Sequence, residues 1–222
     1  MAEKRIAAFF DFDNTFLSKD SAVIGIKYLF RRGDISFWFI AGIILRSILF
    51  KLNLYSAERI SRYALGLYKN RDITEYFRQS EIYYKDMLKP HISPIVRERL
   101  EDHRRKGHLL ILISASLRYM LEPVVRDFAF DLLLCTDLEM GENGRPTGRP
   151  VEPICVGRNK VIYARKAAEE LNIDLNKSFA YTDHHSDLPL LELVGNPVAV
   201  NPNFVLKRIA QKKRWPVLEH FS

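Results

Sequence analysis

A chain of 222 residues with 47% hydrophobic and 27% charged residues can bury one substantial core, which excludes a disordered polymer. Two cysteines, Cys135 and Cys155, are too few for a disulfide framework or a four-thiolate zinc site. A net charge of +7 favours anionic partners without choosing among phosphorylated metabolites, nucleic acid and acidic lipid.

In chain order, Met1-Ala2-Glu3-Lys4-Arg5 leads into an apolar run that Asp11 ends too early for a signal peptide, so the expected location is the cytoplasm. The stretch Ile6–Phe10 lacks polar alternation and reads as a buried strand. It runs into Asp11-Phe12-Asp13-Asn14-Thr15, which sets two carboxylates at the C-terminal end of that strand, where parallel α/β sheets keep their ligand sites. One carboxylate there can act as a nucleophile and the second as a general acid or base. Two anions facing an anionic substrate need a cation between them, and Mg2+ prefers oxygen ligands.

Residues 21–88 are rich in Tyr, Phe, Leu, Ile, Lys and Arg and contain no proline, a composition suited to a cluster of helices. The expected helices are Ser21–Arg31, Ile35–Leu54, Ser56–Tyr68 with Ser56 as N-cap, and Asp72–Leu88. The segment Ile35–Phe50 contains Arg46 and is shorter than the roughly 20 residues of a spanning helix. It reads as a buried helix or partner surface. The competing reading is peripheral contact of residues 35–54 with the inner membrane surface, helped by Arg31, Arg32, Arg46 and Lys51.

From Pro94 onward strands and helices alternate, which implies a mostly parallel sheet covered on both faces. Helices are expected at Pro94–Lys106, Tyr119–Phe128, Asn159–Leu171, Ser186–Val194 and Asn203–Lys213. Strands are expected at Leu109–Ile113, Leu132–Cys135, Phe179–Tyr181 and Pro197–Val200, with a hairpin or irregular excursion over Glu139–Arg149. Ser114 closes one strand and can donate to a phosphate oxygen or form a turn, beside amides at the start of the next helix. Asp183 and Asp187 at a strand-to-helix junction can complete a cation site with Asp11, or serve as a cap and a solvated carboxylate. The adjacent His184 and His185 are poorly placed for one tetrahedral zinc. Lys160 at a helix start is either solvated or neutralises the carboxylates and a phosphate.

These four stretches, in this order, resemble the motifs of the haloacid dehalogenase-like hydrolase superfamily, subfamily IB, which is phosphoserine-phosphatase-like. They are Asp11-Phe12-Asp13-Asn14-Thr15, Ser114 in Leu-Ile-Ser-Ala-Ser, Lys160 in Gly157-Arg-Asn-Lys, and Thr182-Asp183-His184-His185-Ser186-Asp187. The resemblance implies an α/β fold with a Rossmann-like, mostly parallel sheet, built from residues 1–16 and 90–222. A helical cap over residues 17–89 would choose the substrate. It implies Asp11 as nucleophile and Asp13 as acid and then base. Mg2+ would be held by Asp11, the Asp13 carbonyl and Asp183, with Asp187 in support. Asn14, Ser114, Ala115 and Lys160 would bind the phosphoryl group. Thr182 stands where the motif usually has glycine, and His184 where a small residue is usual.

The implied activity is Mg2+-dependent phosphomonoester hydrolysis through an aspartyl phosphate, on a small phosphorylated metabolite resembling phosphoserine or histidinol phosphate. Asp20, Arg59 and His184 are the substrate candidates; Arg59 or Arg62 either takes a substrate carboxylate or, the favoured role, sits in a surface salt bridge. A lipid-phosphate phosphatase at the membrane surface and a phosphotransferase to an acceptor alcohol stay open. Nucleic acid is not an expected partner, and the oligomeric state is not fixed.

Overall fold

The computed structural model describes residues 3–52 and 54–220. Its core is a six-stranded parallel sheet. The strands are β1 (Ala7–Phe10), β2 (Leu109–Leu117), β3 (Leu132–Thr136), β6 (Phe179–Thr182), β7 (Asn196–Val200) and β8 (Val217–Leu218), in the order β3-β2-β1-β6-β7-β8. A separate antiparallel hairpin, β4 (Leu138–Met140) with β5 (Pro146–Pro150), occupies the region expected to be a hairpin or irregular excursion.

The sheet owes its central position to β1, whose four residues are all buried. Side chains alternate across a strand with a period of two. Ala8 and Phe10 therefore enter one apolar cluster with Leu110, Leu112 and Tyr181, while Ala7 and Phe9 enter the other with Ile111, Ile113 and Ala180. Phe10 stacks on Tyr181 at 4.7 Å between ring centroids and meets Phe16 edge-on at 6.3 Å. Truncating a buried phenylalanine in such a setting costs about 3–5 kcal/mol. Helices α5 (Pro94–Arg105), α6 (Arg118–Asp127), α7 (Lys160–Glu170), α8 (Leu188–Leu193) and α9 (Phe204–Lys213) complete the alternating pattern.

Between β1 and β2 the chain builds α1 (Ser21–Arg31), α2 (Phe37–Lys51), α3 (Ala57–Leu65) and α4 (Ile73–Tyr83). Each begins with a side-chain cap: Asp20 accepts from the Ala22 and Val23 amides, Ser36 from Phe39, Ser56 from Arg59 and Asp72 from Thr74. The expected helix at 35–54 is shorter at both ends. Ser36 caps it at the start, and the Leu52 amide closes it on the Ile48 carbonyl. Among the described residues no helix is long and apolar enough to cross a membrane.

The helical block leaves and rejoins the sheet through neighbouring backbone. Leu17 and Ile92 form an antiparallel bridge, Ser18 N–H donates to the His91 carbonyl at 2.8 Å, and Ser93 N–H donates to the Phe16 carbonyl at 2.9 Å. A second junction runs through the hairpin. Arg62 on α3 pairs with Glu152, and the Asn70 amide donates to the Pro146 carbonyl at 2.9 Å.

Candidate active site

The strand order reverses at β1: β2 lies on one side and β6 on the other. The C-terminal ends of these strands therefore open a crevice at β1, the usual ligand position in open α/β sheets. Asp11 follows β1 directly, and its amide is held by the Tyr181 carbonyl of β6 at 3.0 Å. Its Oδ1 accepts the Phe12 amide at 2.8 Å and Lys160 Nζ at 2.7 Å. The same ammonium donates to Asp187 Oδ2 at 2.6 Å, and all three side chains are buried.

The local backbone explains how distant residues meet. Gly157, at φ +52, starts the turn before α7, and a Cβ there would stand 3.4 Å from the Ser186 carbonyl oxygen. That close approach brings the first residue of α7, Lys160, against the turn that carries Asp187. Burial disfavours the Lys160 ammonium, but Asp11 and Asp187 more than offset this and hold it charged above the ordinary lysine range. Burial pushes the Asp11 carboxyl up, with Lys160 pulling it back. An unpaired ammonium this deep would be very costly.

Asp13 is anchored at both oxygens: Oδ1 accepts the Ser21 amide at 2.6 Å, and Oδ2 accepts the Ser116 hydroxyl at 2.9 Å. Burial, and then Asp20, raise its carboxyl above the ordinary range. A raised carboxyl keeps a proton to higher pH, which suits a proton donor. The Ser116 and Ser21 hydroxyls lie 3.1 Å apart and extend this network. Neither serine was expected from the sequence. Ser116 follows Ser114 by two positions at a strand end, and that spacing was the available signal. Ser114 is fully buried and its hydroxyl accepts the Ser116 amide at 3.0 Å.

Asp183 ends β6, half-buried, and its carboxyl is pushed up to about 8, first by burial and then by Asp11. Asp11, Asp183 and Asp187 thus crowd negative charge around one ammonium. Among the described residues no three His, Cys, Asp or Glu side chains converge enough to hold an ion alone. Carboxylate and carbonyl oxygens suit Mg2+, which is bound through one or two carboxylates and keeps several waters, better than zinc, which favours Cys and His donors. Asp11, Asp183 and the Asp13 carbonyl are the groups that could hold it.

Asp13, Asp20, Ala115 and Ser116 open onto a cavity of about 270 Å³ beneath the helical block. Its walls are mainly apolar and aromatic: Phe39 and Ile43 from α2, Leu65 from α3, and Tyr28, Tyr68, Tyr76, Tyr83 and Tyr119 around them. Arg32 is the one basic side chain on that wall among the described residues, and it is paired with Asp34 at 3.0 Å.

Four candidate site residues have other partners or surroundings. Arg59 is exposed on α3 with its guanidinium over Tyr55, away from the cavity wall, because Ser56 starts the helix with that face outward. Arg62, one turn on, is engaged by Glu58 at 2.7 Å and by Glu152. The Asn14 amide donates to the Lys19 carbonyl at 3.0 Å, since Asn14 adopts φ +53 to turn the chain. His184 accepts the Ser186 amide at Nδ1 and lies 6.2 Å from the Phe50 ring of α2, and burial lowers its imidazole below the ordinary value. Two threonine hydroxyls, of Thr15 and Thr182, are buried without a hydrogen-bond partner among the described residues.

A family model described as haloacid dehalogenase-like hydrolase matches residues 8–192. The chain is 29% identical over 221 residues to a histidinol-phosphatase of Neisseria meningitidis serogroup C (strain 8013), covering 95% of this chain and 97% of that one. It is also 29% identical over 215 residues to phosphoserine phosphatase SerB1 of Mycobacterium tuberculosis (strain ATCC 25618 / H37Rv), covering 95% of this chain and 70% of the other. A crystal structure of a protein with unknown function from Bordetella pertussis Tohama I superposes with TM-score 0.88 at 28% identity, over 99% of this chain and 100% of that one. A substrate-bound phosphoserine phosphatase superposes with TM-score 0.69 at 15% identity, over 98% and 94%, a likeness of fold.

Proposed function

The chain belongs to the haloacid dehalogenase-like hydrolase family, and from that membership we propose a Mg2+-dependent phosphomonoesterase that works through an aspartyl phosphate at Asp11. The observation that carries this reading is the buried Lys160 ammonium bridging Asp11 and Asp187 at 2.7 and 2.6 Å. Residues 1–16 and 90–222 form the catalytic core of this reading, and residues 17–89 its substrate-selecting cap.

With Asp11 Oδ1 taken by Lys160 and the Phe12 amide, Oδ2 attacks phosphorus. The ester P–O bond breaks as Asp13 gives its proton to the leaving alkoxide. Asp13, now ionised and held by Ser21 and Ser116, takes a proton from water. That water attacks the phosphorus of the acyl phosphate and releases inorganic phosphate from Asp11. Lys160, the Ser114 hydroxyl and the Ala115 amide hold the phosphoryl oxygens, so the work is positioning and charge stabilisation. Asp11, Asp183 and the Asp13 carbonyl would hold Mg2+, which when bound would neutralise the phosphate charge.

The cavity narrows the substrate class. It offers the carboxylate of Asp20 and an aromatic wall, while its one basic side chain is already paired. This favours a small phosphorylated amino alcohol without a carboxylate, histidinol-phosphate-like more than phosphoserine-like. The relative named histidinol-phosphatase supports the same choice.

The test is a panel of phosphorylated metabolites with Mg2+, including histidinol phosphate and phosphoserine, with Asp11→Asn as control. Turnover of the amino-alcohol phosphate, abolished by a chelator and by at least roughly 10⁴-fold in Asp11→Asn, is the expected result. Chelator-insensitive turnover, or full activity in Asp11→Asn, overturns the mechanism. An added acceptor alcohol that captures the phosphoryl group would make the protein a transferase.

A further inference from the structure

Helix α2 is apolar on every side, yet only part of it is covered. Phe39 and Ile43 face inward onto the cavity, and Arg46 is tucked against the cap, its guanidinium 3.6 Å from the Tyr63 ring centroid and donating to the Gly42 carbonyl. At 100° per residue, Phe37, Trp38, Ile44, Leu45, Ile48 and Leu52 fall within an arc of about 120° on the other side. All six are exposed, Trp38 to 80% and Leu52 to 60%. An unbroken bare apolar stripe of this size marks an interaction surface.

The charge around the stripe says what covers it. Between Asp34 and Glu58 the chain has no acidic residue. Asp34 itself is paired with Arg32 at 3.0 Å. Helix α1, joined to α2 by the short connection 32–36, presents Val23, Lys27, Phe30 and Arg31 at the i, i+4, i+7 and i+8 positions of one exposed face. Exposed aromatic and aliphatic side chains next to exposed lysine and arginine match an anionic bilayer surface, apolar beneath and negative above. At 15 residues α2 is about 22 Å long, too short to span the roughly 30 Å hydrocarbon layer, so the helix lies in the interface.

We propose that the outer face of α2, with the basic end of α1, docks this protein onto anionic membrane surfaces. Trp38 enters the headgroup boundary, Phe37, Ile44, Leu45 and Ile48 enter the acyl layer, and Lys27 and Arg31 meet the lipid phosphates. The docked helix is also a wall of the cavity, so the cavity faces the bilayer across one helix thickness. The surface is independent of the chemistry assigned to Asp11, and its test does not use turnover.

The experiment is sedimentation of the full chain with vesicles of phosphatidylcholine alone or mixed with phosphatidylglycerol, at low and physiological salt. Protein should pellet with the mixed vesicles, and Trp38 emission should shift blue and be quenched by brominated acyl chains, a change absent in Trp38→Phe. The double variant Ile44→Asp/Leu45→Asp should lose roughly a hundredfold in partitioning with its circular dichroism unchanged. Asp11→Asn should bind like the parent, which separates this proposal from the catalytic one. Pelleting that persists in the double variant but vanishes with salt would mean charge alone and overturn the proposal. So would a concentration-dependent dimer that buries Trp38 and ignores vesicles, which would assign the face to a second copy.

Discussion

The sheet's carboxyl edge and the helical block above it are held by opposite means. At the edge, charged groups are buried and locked to each other, as Lys160 is to Asp11 and Asp187 with side chains 4–9% exposed. In the block, apolar surface is left bare and charged pairs lie in water, as Arg62 and Glu152 do at 41% and 54% exposure. The first arrangement tolerates almost no substitution, because each ion is solvated only by its partners. The second tolerates many, because water replaces any partner that is lost. On the proposed function, the chemistry sits where variation is costly and recognition where it is cheap.

The largest expected effect that would sharpen this contrast comes from Lys160→Met. It strands two carboxylates in the interior and should lower stability by about 3–5 kcal/mol, read by urea unfolding. Activity should fall by at least roughly 10²–10³-fold. Adding Asp187→Leu should recover stability without restoring turnover. Recovery of both would break the contrast, since the buried pair would then be structural only.

An intermediate effect is expected behind the sheet. His103 bonds to the Tyr181 hydroxyl at 2.8 Å and to His108 at 2.8 Å, and its imidazole is pulled down to about 4, first by burial and then by His108. The folded state keeps His103 neutral while the unfolded chain protonates it from the ordinary imidazole value of 6.5. Stability should therefore fall as pH drops from that value toward about 4 and lose nothing further below it, by roughly 3 kcal/mol in all. The check is the pH dependence of the urea midpoint, compared with His103→Gln, whose slope over that window should be shallower.

The smallest effect belongs to the joint between the two regions. Arg62→Ala removes the pairs with Glu58 and Glu152, both exposed, and should cost less than about 1 kcal/mol, with kcat unchanged on a small phosphate ester. A loss as large as that of Lys160→Met would show that the joint carries strain and that the two regions are not built differently after all.

The same contrast explains what was legible in the sequence. The strands could be read from uninterrupted apolar runs, so Asp11 stood out at a strand end and Lys160 and Asp187 at the starts of the helices that follow, and the structure brings them together. The hydrogen bonds of Asp13 were not legible, because one donor is the Ser21 backbone, which carries no residue signature. In the block, a residue facing the cavity and a residue facing solvent are both apolar. Phe39 and Trp38 are neighbours with opposite surroundings, and only the helix phase separates them. Whether Arg59 faced the cavity or solvent was open in the sequence, and the helix phase turns it to solvent. The edge strand β8 has two residues, too few for any period to show.

The paired crossing at Leu17–Ile92 and Ser18–His91 makes the long insertion inexpensive to the sheet. Its two ends are already side by side, so closing the segment between them depends only logarithmically on its length, about 0.6 kcal/mol for each doubling. Descendants of such a chain are free to lengthen, shorten or replace the segment beyond Ser21, whose amide still holds Asp13, while the phosphoryl-handling edge stays untouched. A single ancestral reaction can thus be handed to many different molecules by rewriting one removable segment.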